Sequence, residues 1–260
     1  MNPLDNLSEE VAHLLHTLAG EEFWGPFTTY TPFILIAALV VLMIFMVAKK
    51  QLALIPTKRV IGIIEFIIDF VQNQIATNLL GASTRQHLPF LVTLFVFILV
   101  SNIVGLIPGF KSPTGVMGST VGLAVISFCY FNYSGIKAHG LRHYLGSFAP
   151  KGVPAPIAAL IWLLEFVSSC MRLLTLSIRL FANMFAGHIL LGVLAILTSL
   201  SIAPLIESIN GASVGFASMS VLWVFLLVIL YAMEFFVAAL QAFVFTLLST
   251  VYIMLATTEH

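Results

Sequence analysis

Charge is what this chain has least of. Asp, Glu, Lys and Arg make up 8% of its 260 residues, against roughly 25% in soluble domains. Hydrophobic residues make up 60%, and the mean hydropathy is +1.08. That balance excludes a soluble globular domain and a disordered one, and leaves an integral membrane protein. Net charge is zero, so no basic surface exists for nucleic acid. Cysteine is nearly absent: Cys129 and Cys170, both in apolar segments, fit neither a disulfide framework nor a metal site. The first 30 residues contain five acids and no Lys or Arg, and lack the small-residue pattern of a cleaved signal peptide. Gly and Pro are missing from residues 157–186 and again from 216 to the C-terminus, which removes the usual turn residues from two long apolar stretches.

What remains is organised as a single membrane domain over 1–260. "TPFILIAALVVLMIFMVA", residues 31–48, is long enough to cross a bilayer and is stopped by Lys49 and Lys50. Residues 57–80 carry Gly62, Glu65, Asp69, Gln72 and Asn73 at helical spacing, a narrow polar stripe suited to an amphipathic helix at the interface. A second crossing helix is expected at 88–107, ended by Pro108-Gly109, and a third at 117–136, softened by Ser, Gly and Asn. The remainder reads as two long helices, 154–203 and 213–257. As one helix, residues 216–257 would measure roughly 63 Å, about twice the hydrocarbon core. Either each half folds back without a turn residue, or the two helices run tilted as an antiparallel hairpin; the tilted pair is preferred. The fold class is therefore all-α and polytopic, with about five crossings and one interfacial helix. With residues 1–30 external, eight basic residues fall on the cytoplasmic side and only Lys111 outside, the asymmetry that sets orientation.

Polar residues inside the apolar runs carry the chemistry. Glu165, Arg172 and Arg179 are spaced seven and seven, so they share one helix face. Asn183 falls near that face, and His188 points to roughly the opposite side. In the last helix Glu234 and Gln241 are also seven apart. A hairpin closed at Asn210-Gly211 sets Arg179 level with Gln241 and His188 level with Glu234. His188 and Glu234 both titrate near neutral pH once their surroundings shift them, so they serve either as proton carriers or as interhelical glue. Arg179 does not release its proton. It supplies fixed charge, which Gln241 can orient without neutralising. Glu165 and Arg172 form either a solvated helix entrance or a functional exit. Asn102 and Tyr231 read as packing or turn groups.

Three stretches carry a family resemblance. "LTLSIRLFANMFAGHILLG" (174–192) resembles the arginine-bearing helix of subunit a of F-type ATP synthases, "LQAFVFTLLSTVYIMLATTEH" (240–260) resembles that subunit's C-terminal helix, and "LPFLVTLFVFILVSNIVGLIPGFKSPTG" (88–115) resembles its second crossing segment and following loop. The resemblance implies that Arg179 is the essential arginine facing the proton-carrying carboxylates of the c-ring. Asn183 and Gln241 are its polar neighbours, Glu165 and Arg172 lie toward the cytoplasmic exit, and His188 and Glu234 are coupled on the entry half-channel. Some members carry Glu at the first of those entry positions and His at the second; here the order is reversed. Acidic residues that the family places near the end of the second span are absent, with Gly105 and Gly109 in that area.

The implied function is a proton-conducting stator subunit of a rotary ATP synthase. It is not catalytic by itself and needs no cofactor or metal. Its partners would be the c-ring, peripheral-stalk b subunits, membrane lipid and translocated protons, and its place a bacterial plasma (inner) membrane. The alternative class is a proton-coupled secondary transporter using Arg179 for an anionic substrate. Uninterrupted helix around Arg179 and the lack of internal repeats weigh against it.

Overall fold

A computed structural model describes residues 11–12, 22–24, 27–51, 59–107, 109–141, 144, 154–207 and 211–258. Most of the N-terminal segment, Lys58, Arg142, Lys151 and the hairpin residue Asn210 lie outside the described residues. Strands β1 (Glu22–Trp24) and β2 (Phe27–Thr28) pair antiparallel ahead of the helix that begins at Thr31, and the described residues after them are helices joined by turns and short connections.

Helix α1 (Thr31–Gln51) starts with Pro32 in its first turn, where a missing N–H is harmless, and the Tyr30 carbonyl accepts from Phe33 and Ile34. Helix α2 (Arg59–Phe70) runs into a π-helical turn, Val71–Ala76, and a last α-helical turn, Thr77–Leu80. A tight turn at Gly81–Ser83 leads to α3 (Thr84–Gly105). There the Thr84 hydroxyl donates to the Gly81 carbonyl at 2.7 Å and lies 3.1 Å from that of Ala76. Helix α4 (Met117–His139) ends at Gly140, whose φ of +80° suits the residue after a helix and whose N–H bonds the Ile136 carbonyl. Helices α5 (Ala155–Glu207) and α6 (Gly211–Thr257) are continuous over 53 and 47 residues. At the usual rise they measure about 80 and 70 Å, so neither fits upright within a hydrocarbon core of about 30 Å. Pro204 does not end α5, which runs on to Glu207.

Among the described residues, four helical stretches are long and apolar enough to cross a membrane: Thr31–Lys49, Ile61–Gly105, Pro156–Ile202 and Ser218–Thr257. The second joins α2 to α3. Helix α4 is long enough but too polar to be among them, because Ser119, Thr120, Ser127, Asn132 and Ser134 dilute its hydropathy. Several of those groups are hidden from lipid. Ser127 and Thr120 are buried, and the Ser127 hydroxyl donates to Ser249 of α6 at 2.8 Å. Small polar side chains of this kind let helices approach closely without stranding a donor in hydrocarbon.

Helix α3 is the centre of the bundle. Leu91, Val92, Leu94, Phe95, Val96 and Ile98 form one core with Val71 and Ile75 of the π turn, Leu176 and Leu180 of α5, and Ala242, Phe245 and Ile253 of α6. The outer faces remain apolar: Leu35, Leu39 and Leu42 on α1, and Val221, Phe225 and Phe236 on α6, are all exposed. An apolar exterior over a packed core is the arrangement lipid requires. The molecule is an all-α, multi-pass membrane protein.

Candidate functional site

Arg179 lies on the outer face of α5. It is exposed within a stripe that includes Met171, Leu174, Thr175, Ile178, Ala182, Ala186 and Leu190. Among the described residues no hydrogen bond or ion pair engages it. Gln241 is buried on α6, and no hydrogen bond joins the amide to the arginine. One turn further along α5, the Asn183 Nδ2 is buried with no partner among the described residues.

Glu234 is buried, and its carboxylate lies directly against Gly187 of α5, so closely that a Cβ on Gly187 would collide with it. The two long helices are thus in register within one residue of the His188 level. His188 itself turns away from this contact. Its Nε2 is buried with no hydrogen-bond partner among the described residues, and its ring lines a cavity of about 30 Å³ shared with Tyr30, Phe110, Lys111, Ser112 and Phe185. His188 and Glu234 are neighbours through the α5 backbone, and no hydrogen bond links them.

A polar cluster that sequence periodicity did not mark joins these elements. Asn102 of α3, fully buried, donates through Nδ2 to the Ala238 carbonyl of α6 at 3.1 Å and accepts through Oδ1 from the Thr114 hydroxyl at 2.7 Å. Thr114 in turn is 2.9 Å from the Ser112 hydroxyl. Ser112 packs against Gly105, at the point where any side chain on residue 105 would overlap it. The chain after α3 therefore folds back onto its own helix and reaches the His188 cavity. Ser112 and Thr114 sit in a turn around Pro113, and turns carry no repeat from which their inward direction could be read.

At the other end of the bundle Arg172 and Glu165 meet, with Nη2 and Oε1 3.1 Å apart. The Arg172 guanidinium also stands 5.6 Å from the centre of the Tyr252 ring of α6. Among the described residues, no three side chains of His, Cys, Asp or Glu come together as a metal site.

One long helix thus carries an arginine with no partner among the described residues, between two sets of buried or paired ionisable groups, on a surface otherwise fit for lipid. The family model described as ATP synthase A chain matches residues 31–254. The chain belongs to that family. It is similar to ATP synthase subunit a of Nocardioides sp., at 36% identity over 85% of this chain and 78% of the relative. It is also similar to subunit a of Acidiphilium cryptum, at 36% over 87% and 86%, and to that of Parvibaculum lavamentivorans, at 32% over 96% and 92%. Membership makes the chain a membrane subunit of a multi-subunit ATP synthase, with ATP synthesis and proton transport as its setting. Within the ATP synthase A chain family match fall Glu165, Arg172, Arg179, Asn183, His188, Glu234 and Gln241, together with the Asn102–Thr114–Ser112 cluster.

Proposed function

We propose that the chain is the stator half of a rotary proton path, offering two offset half-channels to the carboxylates of a c-ring. The observation that carries this reading is Arg179: a permanent charge exposed on a lipid-type surface, with no partner among the described residues. Such a charge is costly in hydrocarbon and is retained where something apposes it. A carboxylate on a neighbouring proteolipid ring is the apposing group of the right sign.

Protons enter from the outside past the Lys111 end, through His188 and Glu234, and reach a ring carboxylate. Once neutral, that carboxylate tolerates lipid and the ring turns. Near Arg179 the opposite charge favours the ionised form and drives release toward Glu165 and Arg172 at the cytoplasmic mouth. Fixed positive charge between the two half-channels also bars a proton from crossing without rotation. Asn183 and Gln241 offer hydrogen bonds beside the arginine and do not neutralise it. The N-terminus is then external and the C-terminus cytoplasmic, in a bacterial plasma membrane. Peripheral-stalk b subunits hold the chain still, while catalysis is left to other subunits.

The test is gradient-driven ATP synthesis in membrane vesicles carrying Arg179→Ala. Normal assembly with synthesis abolished supports the reading; synthesis at wild-type rates overturns it.

A further inference from the structure

Seven residues on one helix are about 10.5 Å apart along its axis, so Arg172 and Glu165 meet only if both side chains stretch toward each other. Holding two long side chains in one geometry loses rotamer entropy, and a part-exposed pair returns little in exchange. Here the side chains are 29% and 42% exposed. Left to themselves, such groups would separate into water.

One aromatic ring from another helix faces the guanidinium, and a second tyrosine lies within reach of its charge. The Tyr252 ring of α6 lies 5.6 Å from the guanidinium, within the range where a cation is drawn to an aromatic face. Tyr144, in the segment after α4, is close enough for the Arg172 charge to oppose the rise that burial gives its phenol. Tyr144 is itself immobilised. Its ring fills a notch at Gly135, where a Cβ would collide with it, and its hydroxyl donates to the Asn132 Oδ1 at 2.9 Å. Close by, His139 Nε2 is 3.2 Å from the Thr257 carbonyl, tying the end of α4 to the end of α6.

We propose that Tyr252 is a positioning residue for the cytoplasmic exit, holding the Arg172 guanidinium on Glu165 so that the pair acts as one gate. The inference rests on the proton-path reading above and adds the group that sets the gate's geometry. A proton arriving on the Glu165 carboxylate cancels its charge and loosens the guanidinium, which stays parked on the Tyr252 ring instead of swinging into the exit. When the proton passes to water, the carboxylate recovers its charge and the pair re-forms. Tyr252 neither takes nor gives a proton in this cycle, so its ring matters and its hydroxyl does not.

The experiment measures passive proton flux, with a pH-sensitive dye, in vesicles containing the whole membrane sector after removal of the peripheral catalytic part. Assembly is checked by co-purification of the ring. Tyr252→Phe keeps the aromatic face and retains at least about half the flux, whereas Tyr252→Leu loses about fivefold. Tyr252→Met, closer in volume, replaces the Leu variant should that one fail to assemble. In an Arg172→Ala background the Leu change has no further effect, because the residue it acts through is gone. Equal losses for Phe and Leu, or an undiminished Leu effect without Arg172, would overturn the proposal. The proton-path reading is judged separately in the same preparation with the catalytic part restored: synthesis surviving Arg179→Ala overturns that reading, however the Tyr252 variants behave.

Discussion

The carboxylate of Glu234 rests on Gly187, helix backbone against acid, with no room for a methyl group between them. This contact fixes the register of α5 and α6 at the point where a buried acid meets the backbone beside His188. Gly187→Ala forces the carboxylate aside and is expected to lower gradient-driven synthesis at least tenfold with assembly intact. Glu234→Asp, one methylene shorter, should recover part of that loss in the double variant. Synthesis rates in vesicles of the four combinations check it, since contacting residues are non-additive.

Asn102 holds α3, α6 and the following turn together through two buried hydrogen bonds. Replacing it with Leu keeps most of the volume but removes both bonds and leaves the Thr114 hydroxyl with Ser112 alone, at a cost of about 1–3 kcal/mol. The expected outcome is a lower midpoint for heat-induced unfolding in detergent. Thr114→Val should show a smaller drop of the same sign.

Gly105 admits Ser112 with no clearance, and part of what a new side chain would meet is the Ser112 backbone. Gly105→Ala therefore displaces the turn at Pro113–Gly115 and should destabilise by about 1–3 kcal/mol, as overpacking does. Ser112→Gly should relieve only part of it, because the backbone contact stays. Thermal unfolding of the two single variants and the double reads the difference.

Arg179 predicts the opposite combination. It is exposed and has no partner among the described residues, so Arg179→Ala should leave unfolding in detergent within about 0.5 kcal/mol of wild type while abolishing synthesis. A large stability loss would place the guanidinium in a contact within this chain.

How much of this was legible in the sequence depends on the kind of signal. Long apolar runs free of Gly and Pro gave α5 and α6, because helix length and lipid exposure are both written in composition. Seven-residue spacing gave the Glu165–Arg172 face, and the structure adds the ion pair itself. Orientation about a helix axis was less accessible. His188 was set level with Glu234 from the hairpin, yet its ring turns to the Lys111 side, because a shared level does not decide which way a side chain points. Ser112, Thr114 and Tyr144 carry no periodic mark, although the first two fall within the stretch 88–115 that bears the family resemblance. Ser112 and Thr114 act from a turn and Tyr144 from a helical residue beyond α4, where direction is set by packing against Gly105 and Gly135, and a glycine that matters for what it lacks leaves no periodic trace. The polarity of α4 was visible as softness; its cause, a hydroxyl contact with Ser249, lies 122 residues away.

The unbroken course of α5 has a mechanical consequence. Glu165 and His188 sit on one rod, 23 residues and so about 35 Å apart, close to the thickness of the hydrocarbon layer. On the proposed proton path, the separation of the two mouths along the helix axis is therefore set by counting residues along a single helix, and does not depend on how separate parts dock. Tilting the rod changes the depth of Glu165 and His188 in the membrane but leaves Arg179 between them along its axis. On the proposed reading, such a rod flexes against a turning ring and still keeps its two ends the same distance apart along its own axis.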